Sequence, residues 1–187
     1  MWIREVAKQR PVEVVWKLFS LAEINKDMEM DEAHKIGHAK GRKMERLMLA
    51  ARRHGGNEAL ERIYLRIGEA HHGTREDLND DAVVARCLEE ADLPESLYKD
   101  ALADKSTEQD LLAEHEESVD RLHAFGVPTL ALEGSDIGVF GPVVEPVPSG
   151  QEAVELWDHT HWLLKAPSVF EFKRAARVKL GPQHVLD

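Results

Sequence analysis

The run Phe125-Gly126-Val127-Pro128-Thr129-Leu130-Ala131-Leu132 is where this chain most plainly shapes its backbone for chemistry. Proline belongs at the start or edge of a strand, and X-Pro is the bond for which the cis form costs little, so Val127-Pro128 reads as a strand start and a sharp kink. An ordinary trans proline opening a hairpin is the other reading of the same residues. Other candidates are weaker. Cys87 cannot close an internal disulfide and shares an apolar helical side with Val84 and Leu88, which predicts packing rather than reactivity. His34 and His38 have the i, i+4 spacing of two metal ligands, but no H-E-x-x-H glutamate and no third ligand accompany them, so no metal is expected. His71-His72 and His159-x-His161 read as surface or packing residues. Asn25, in Asn25-Lys26-Asp27, is either a turn cap or a side-chain amide available to a polar ligand. Lys40, Arg42, Lys43, Arg46, Arg52 and Arg53 form the one basic zone, expected to be a solvated helix face, with an acidic cofactor or substrate as the alternative. Gly37 and Gly41 in the same helix suggest close helix packing or the approach of a cofactor. Trp157 and Trp162 are expected in the core, and Ser135 lacks the setting of a nucleophile.

The chain has 187 residues, 43% of them hydrophobic, and a formal charge of -11. That length supports a substantial core, either one domain or one domain with an insertion. The acidity argues against nucleic acid and anionic membranes as partners, because phosphate binding needs a basic surface. No stretch reaches the roughly 18 apolar residues of a membrane span, and the first residues lack the pattern of a secretion signal. A cytoplasmic protein is expected.

These residues need elements to position them. Residues 2–10 are predicted helical up to Pro11. Val12 to Leu18 is rich in β-branched residues and predicts a strand. A helical block runs from about 29 to 124, broken at Gly55-Gly56, after Gly73 and at Leu93-Pro94. Leu60, Ile63, Tyr64, Ile67 and His71 give one helical stripe, and Leu111, His115, Val119 and Leu122 another. The last helix is expected to stop at Gly126. Thr129 to Leu132 and Ile137 to Val144 predict a hairpin around Glu133-Gly134-Ser135-Asp136. Ser149-Gly150-Gln151-Glu152 predicts a capping box opening a helix with Ala153, Leu156, Trp157, Thr160 and Leu164 on one side. Residues 168–187 read as a docking tail with a short helix, carrying Phe170, Phe172, Lys173, Arg174, Arg177 and Lys179.

Helix, strand, helical block, two strands and helix is the thioredoxin order with an insertion. Trp2-Ile3-Arg4-Glu5-Val6-Ala7, Phe19-Ser20-Leu21-Ala22-Glu23-Ile24-Asn25, Gly126-Val127-Pro128-Thr129, Phe140-Gly141-Pro142-Val143 and Leu156-Trp157-Asp158 follow one another in that frame. In these blocks, in Tyr64 to His71 and in Leu88 to Pro94, the chain resembles the DsbA-family oxidoreductases of the mycothiol-dependent nitroreductase type. The resemblance implies an α/β, thioredoxin-like fold with a large helical insertion, its first β-strand absent from this chain. Residues 1–28 and 125–187 would form the N-terminally incomplete thioredoxin-like domain, and 29–124 the inserted helical domain.

The implied activity is thiol-disulfide exchange, with disulfide or nitro substrates reduced by a low-molecular-weight thiol such as mycothiol. In the proteins it resembles, a Cys-Pro-Trp-Cys or related motif lies at a helix N-terminus, where unpaired N–H groups and the macrodipole stabilise a thiolate. This chain carries neither cysteine of that motif, so it holds no catalytic residue and is expected to be inactive alone. The expectation is an internal start with the motif upstream; a truncated, redox-dead relative is the competing reading. Val127 and Pro128 are the implied thiol- or substrate-pairing residues and Asn25 the orienting one, with no metal. Assembly is left open and includes a homodimer. Two alternatives remain: an enzyme like glutathione transferase kappa or hydroxychromene-carboxylate isomerase, with serine at the nucleophile position, and a redox-inactive thioredoxin-like binding protein.

Overall fold

Trp2, Ile3 and Val6 fall on one side of the first helix and are all buried. In the computed structural model, which describes residues 2–170, they belong to α1 (Trp2–Ala7). After it come α2 (Leu21–Ile24), α3 (Glu32–Gly68), a π-helical turn (Glu69–Gly73), α4 (Asp81–Glu90), α5 (Leu97–Ala103) and α6 (Lys105–Leu122). The strands β1 (Thr129–Leu130) and β2 (Val139–Phe140) precede α7 (Gly150–Leu164). The described chain is mostly helical, with one small sheet. Of the expected docking tail, residues 171–187 lie outside the described residues. Two compact units divide the chain, Met1–Val15 with Asp120–Asp187, and Trp16–Val119.

In the helical unit, Leu47, Leu60, Ile63, Leu88 and Leu111 are almost fully buried, and they come from α3, α4 and α6. The Asp31 side chain accepts from the His34 N–H at 2.8 Å and caps α3. The helix kinks at Gly55-Gly56, where Gly56 has φ +71; side chains rarely take that conformation. The break expected after Gly73 is a widened turn, the Thr74 N–H reaching the Glu69 carbonyl at 3.0 Å. A Cβ built at Gly37 or Gly41 meets nothing within 4 Å, so neither glycine serves close helix packing.

Val12 to Leu18 do not form the predicted strand. Burial does alternate from Val12 to Leu18 with the period of two that suggested one. The Trp16 and Leu18 N–H groups, however, donate to side chains on helices, Asn57 Oδ1 at 2.9 Å and Glu114 Oε1 at 2.7 Å, and not to a neighbouring strand. An extended, alternating segment held by helix side chains leaves the same trace in sequence as a sheet strand.

In the other unit α1 packs on α7. Trp2 and Trp157 lie 6.4 Å apart between ring centres, Gln9 Nε2 donates to the Gly150 carbonyl at 3.1 Å, and Arg10 pairs with Asp158 at 3.2 Å. Ser149 stands at the N-cap of α7, but its side chain makes no capping bond, so the expected capping box is not closed. The hairpin is antiparallel, Thr129 opposite Phe140 and Leu130 opposite Val139. It is shorter than expected, since Pro142, just beyond β2, has no N–H for a ladder. The Val127-Pro128, Gly141-Pro142 and Glu145-Pro146 bonds are cis. α6 ends at Leu122, and His123, with φ +53, takes the left-handed position expected of Gly126.

The hairpin is fastened to the end of α6. The Gly138 N–H donates to the Leu122 carbonyl at 2.8 Å, and Arg121 Nη1 to the Ser135 carbonyl at 2.8 Å. A Cβ at Gly138 would stand 2.6 Å from Thr129 Cγ2 and 3.2 Å from the Leu122 oxygen. Gly138→Ala is therefore expected to destabilise the protein by about 1–3 kcal/mol in chemical denaturation. Adding Thr129→Ser, which removes Cγ2, should recover part of the loss; a Gly138→Ala protein as stable as wild type would refute this account.

Candidate functional site

The residues expected to pair with a thiol lie in one loop of the α1–α7 unit. The Thr129 hydroxyl donates to the Gly126 carbonyl at 2.7 Å and closes the loop from inside. The Gly141 N–H donates to the Pro128 carbonyl at 2.8 Å, tying the proline to the chain just after β2. Val127 is 47% exposed, and among the described residues no hydrogen bond engages its N–H or carbonyl. A buried backbone group left in that state would cost free energy. At the surface it remains available to an extended ligand, which can add to such an edge as a further strand does.

Asn25 belongs to the helical unit. It is the C-cap of α2, its N–H donating to the Leu21 carbonyl at 3.3 Å and its own carbonyl accepting from Met28 at 3.0 Å. Its backbone thus has the turn role that was one of its two readings, and the half-exposed side chain is not needed for it. Around α2 lies a set of charged groups that the sequence did not reveal as a set. Arg42 on α3 bridges Glu23 at 3.2 Å and Glu108 on α6 at 2.5 Å. His115 on α6 stacks on Phe19, 4.6 Å between ring centres, is 4% exposed, and leaves Nδ1 without a partner among the described residues. Burial lowers its pKa and favours the neutral ring. The Glu45 carboxyl, on the α3 face that carries Arg42, is pushed up to about 7 by burial, against the opposing pull of the Ser20 hydroxyl and the Arg42 charge.

Lys43 is exposed as expected, but the rest of the basic zone is paired and not simply solvated. Arg46 donates to Thr107 Oγ1 at 2.9 Å and to the carbonyls of Ala101 and Leu102 at 3.0 Å each. Arg52 pairs with Glu114, Arg53 with Asp104 and Asp110, and Lys40 with Asp77. The partners come from later elements, out of reach of a helix-by-helix reading. Cys87 is 1% exposed in α4, and burial pushes its thiol up, away from the thiolate that chemistry needs. His34 is held by Asp31 at 2.7 Å, and among the described residues no three His, Cys, Asp or Glu gather as a metal site. No helix among the described residues is long and apolar enough to cross a membrane.

A family model described as mycothiol-dependent nitroreductase Rv2466c matches residues 1–174. The chain belongs to this Rv2466c-like family. Among its relatives is the uncharacterized protein Rv2286c of Mycobacterium tuberculosis (strain ATCC 25618 / H37Rv), 32% identical over 174 residues, which are 93% of this chain and 74% of that one. The match embraces the proline loop, α2 with Asn25, and the charged groups around it.

The buried Glu45 ties the stability of this Rv2466c-like protein to pH. Its carboxyl is raised in the fold to about 7 from an ordinary 4.5, so its contribution is full below pH 4.5 and is lost as pH rises through 7. The loss is on the order of 3 kcal/mol. Glu45→Gln, which does not titrate, should gain on wild type by that order in denaturation experiments between pH 4.5 and 8. A difference that stays flat over this range would exclude the buried carboxyl as its source.

Proposed function

We propose that this chain works in a mycothiol-linked oxidoreductase of DsbA-like, thioredoxin-like fold that reduces disulfide or nitro substrates in the cytoplasm. In this reading residues 1–28 and 125–187 are the thioredoxin-like frame and 29–124 a helical insertion. The observation that carries it is the exposed Val127 beside Pro128, its N–H and carbonyl unengaged among the described residues, in a chain matched by a family described as mycothiol-dependent nitroreductase. An acyl-cysteine thiol such as mycothiol carries amide groups, and an edge with one free donor and one free acceptor suits them. Val127 would pair with those amides and Pro128, which has no N–H, would add no donor of its own to that edge; in the helical unit, the Asn25 amide would offer hydrogen bonds to polar groups of a thiol or substrate. The chemistry supplied by mycothiol when bound is thiol oxidation: two thiols give one disulfide, and the two electrons and two protons released convert a nitro group into nitroso and water.

The one cysteine of the chain, Cys87, is buried and its thiol is raised, which favours a role in binding and orienting over one as a nucleophile. The same observation supports the second reading, a redox-inactive binding protein. Titration of the full chain with mycothiol, followed by backbone amide shifts, tests the proposal. Shifts should centre on Val127 and Thr129, and Val127→Pro, which removes the donor, should weaken binding about tenfold. Cys87→Ala should bind as wild type does. Mycothiol binding that ignores Val127→Pro, or no binding at all, would overturn the assignment.

A further inference from the structure

We propose that the cleft between α4 and the start of α5 binds a small primary amine with an apolar body, its ammonium group held by Asp81 and Glu95. The cleft lies within the helical unit and owes nothing to the reading of the Val127 loop. Its volume is about 310 Å³, at the lower end of the roughly 300–1,000 Å³ typical of small-molecule sites.

Val84 and Leu88 are four residues apart on α4, so they share a face, and each is 1% exposed. With Tyr98 of α5, 8% exposed, they form the apolar floor. Tyr98 brings to this floor a hydroxyl that has no hydrogen-bond partner among the described residues. Burial pushes the phenol's pKa up and the Asp81 charge pushes it further, so the Asp81 carboxylate on α4 acts on the Tyr98 hydroxyl across the cleft. A buried hydroxyl left unpaired costs free energy until water or a ligand enters and bonds to it.

Asp81, Glu95, Ser96 and Lys99 stand at the rim, all exposed. None of these four side chains has a partner among the described residues. Arg86 and Glu90 on the same helix are both engaged, Arg86 with Glu76 at 2.8 Å and with Glu90 at 3.8 Å. Ser96 is the N-cap of α5, yet its hydroxyl makes no capping bond. Asp81 is not needed as a cap either, since Asp80 accepts from the Ala82 N–H at 2.9 Å. Groups that helix ends usually consume are thus left facing the cleft.

Charge selects the occupant. Two carboxylates against one ammonium leave the rim negative, and the whole chain carries -11. A single cationic group neutralises that rim; an anion would meet the chain's own field, and a zwitterion would leave the rim charge as it was. A primary ammonium also suits the acceptors present, because its N–H donors can reach two carboxylates and the Tyr98 oxygen. The apolar floor asks for carbon behind that ammonium, which a metal ion lacks. Lys99 opposes the same cation, so it limits affinity rather than supplying it.

The test titrates the full chain at neutral pH with phenethylamine, with phenethyl alcohol and hydrocinnamate as neutral and anionic counterparts, and follows amide shifts. Shifts are expected at Val84, Leu88 and Tyr98 as well as at the rim, the amine binding about fivefold or more tightly than the alcohol and the anion weakest. Asp81→Asn and Glu95→Gln, which keep side-chain shape at exposed positions, should each weaken the amine about two- to fivefold, and Tyr98→Phe about twofold or more. Lys99→Ala should tighten it about two- to fivefold, a gain that a merely structural lysine would not give. Equal binding of amine and alcohol, shifts confined to the rim, or weaker amine binding by Lys99→Ala would overturn the assignment. The last of these would give the cleft to a zwitterion. Where Tyr98→Phe does not fold, Glu95→Gln and Lys99→Ala, both at exposed positions, decide.

Discussion

The ion pair of the buried Glu114 with the partly buried Arg52 is the constraint on which the helical unit depends. Glu114 is 8% exposed, receives two guanidinium nitrogens of Arg52, and also accepts from the Leu18 N–H. A carboxylate taken from water needs that many donors, because desolvation costs several kcal/mol and one contact does not offset it. The outcome is a three-way junction of α3, α6 and the extended segment before α2. Hydrogen bonding raises the Arg52 pKa further, so the guanidinium remains charged throughout the range where proteins fold. Ser20 to Asn25 follow directly from this junction, and Arg42, bridging Glu23 and Glu108, repeats the device about three turns earlier along α3.

In the α1–α7 unit backbone does the equivalent work. The end of α6 lacks partners for its last carbonyls, as every helix end does, and the hairpin supplies one through Gly138. Gly138 must be bare to approach so closely, and the same approach sets Thr129 where its hydroxyl can close the loop on Gly126. A helix end, a glycine and a threonine thereby define the path of Val127 and Pro128 without a buried charge. A hairpin of two-residue strands is too short to be stable by its own ladder, so this attachment is what gives it a fixed form.

What was legible in the sequence follows from how local each signal is. The helical block, its breaks at Gly55-Gly56 and after Gly73, and the hairpin after Pro128 are written in periodicity and turn residues a few positions apart, and all appear. Gly126 as helix stop failed because a left-handed residue need not be glycine, and His123 takes the position three residues earlier. Val12 to Leu18 failed as a strand because alternation reports which side is buried and not who receives the N–H groups. Arg42, Arg52 and Arg53 failed as a solvated face because partners such as Glu108, Glu114 and Asp104 lie 51 to 66 residues further along the chain. Glu45 was invisible for a related reason: among arginines and lysines a glutamate reads as a surface partner, and only the arrival of α2 and α6 buries it. The Phe125–Phe140 stack joins residues 15 apart across a turn, a pairing that depends on the hairpin's register.

The two regions differ in what they can give to a ligand. Around Asn25 the groups are charged, paired and partly buried, so a ligand there would have to compete with Glu23, Arg42 and Glu108 for hydrogen bonds already made. In the loop, no hydrogen bond among the described residues engages the Val127 N–H or carbonyl and the neighbouring side chains are apolar, so a ligand gains hydrogen bonds and buried area there without breaking either. Binding energy is the surplus over what must be undone, which favours the loop as the place where affinity arises. In the proposed function this makes Asn25 a group that orients rather than holds, since one half-exposed amide is worth about a single hydrogen bond, whereas the Val127 edge offers both donor and acceptor in fixed geometry.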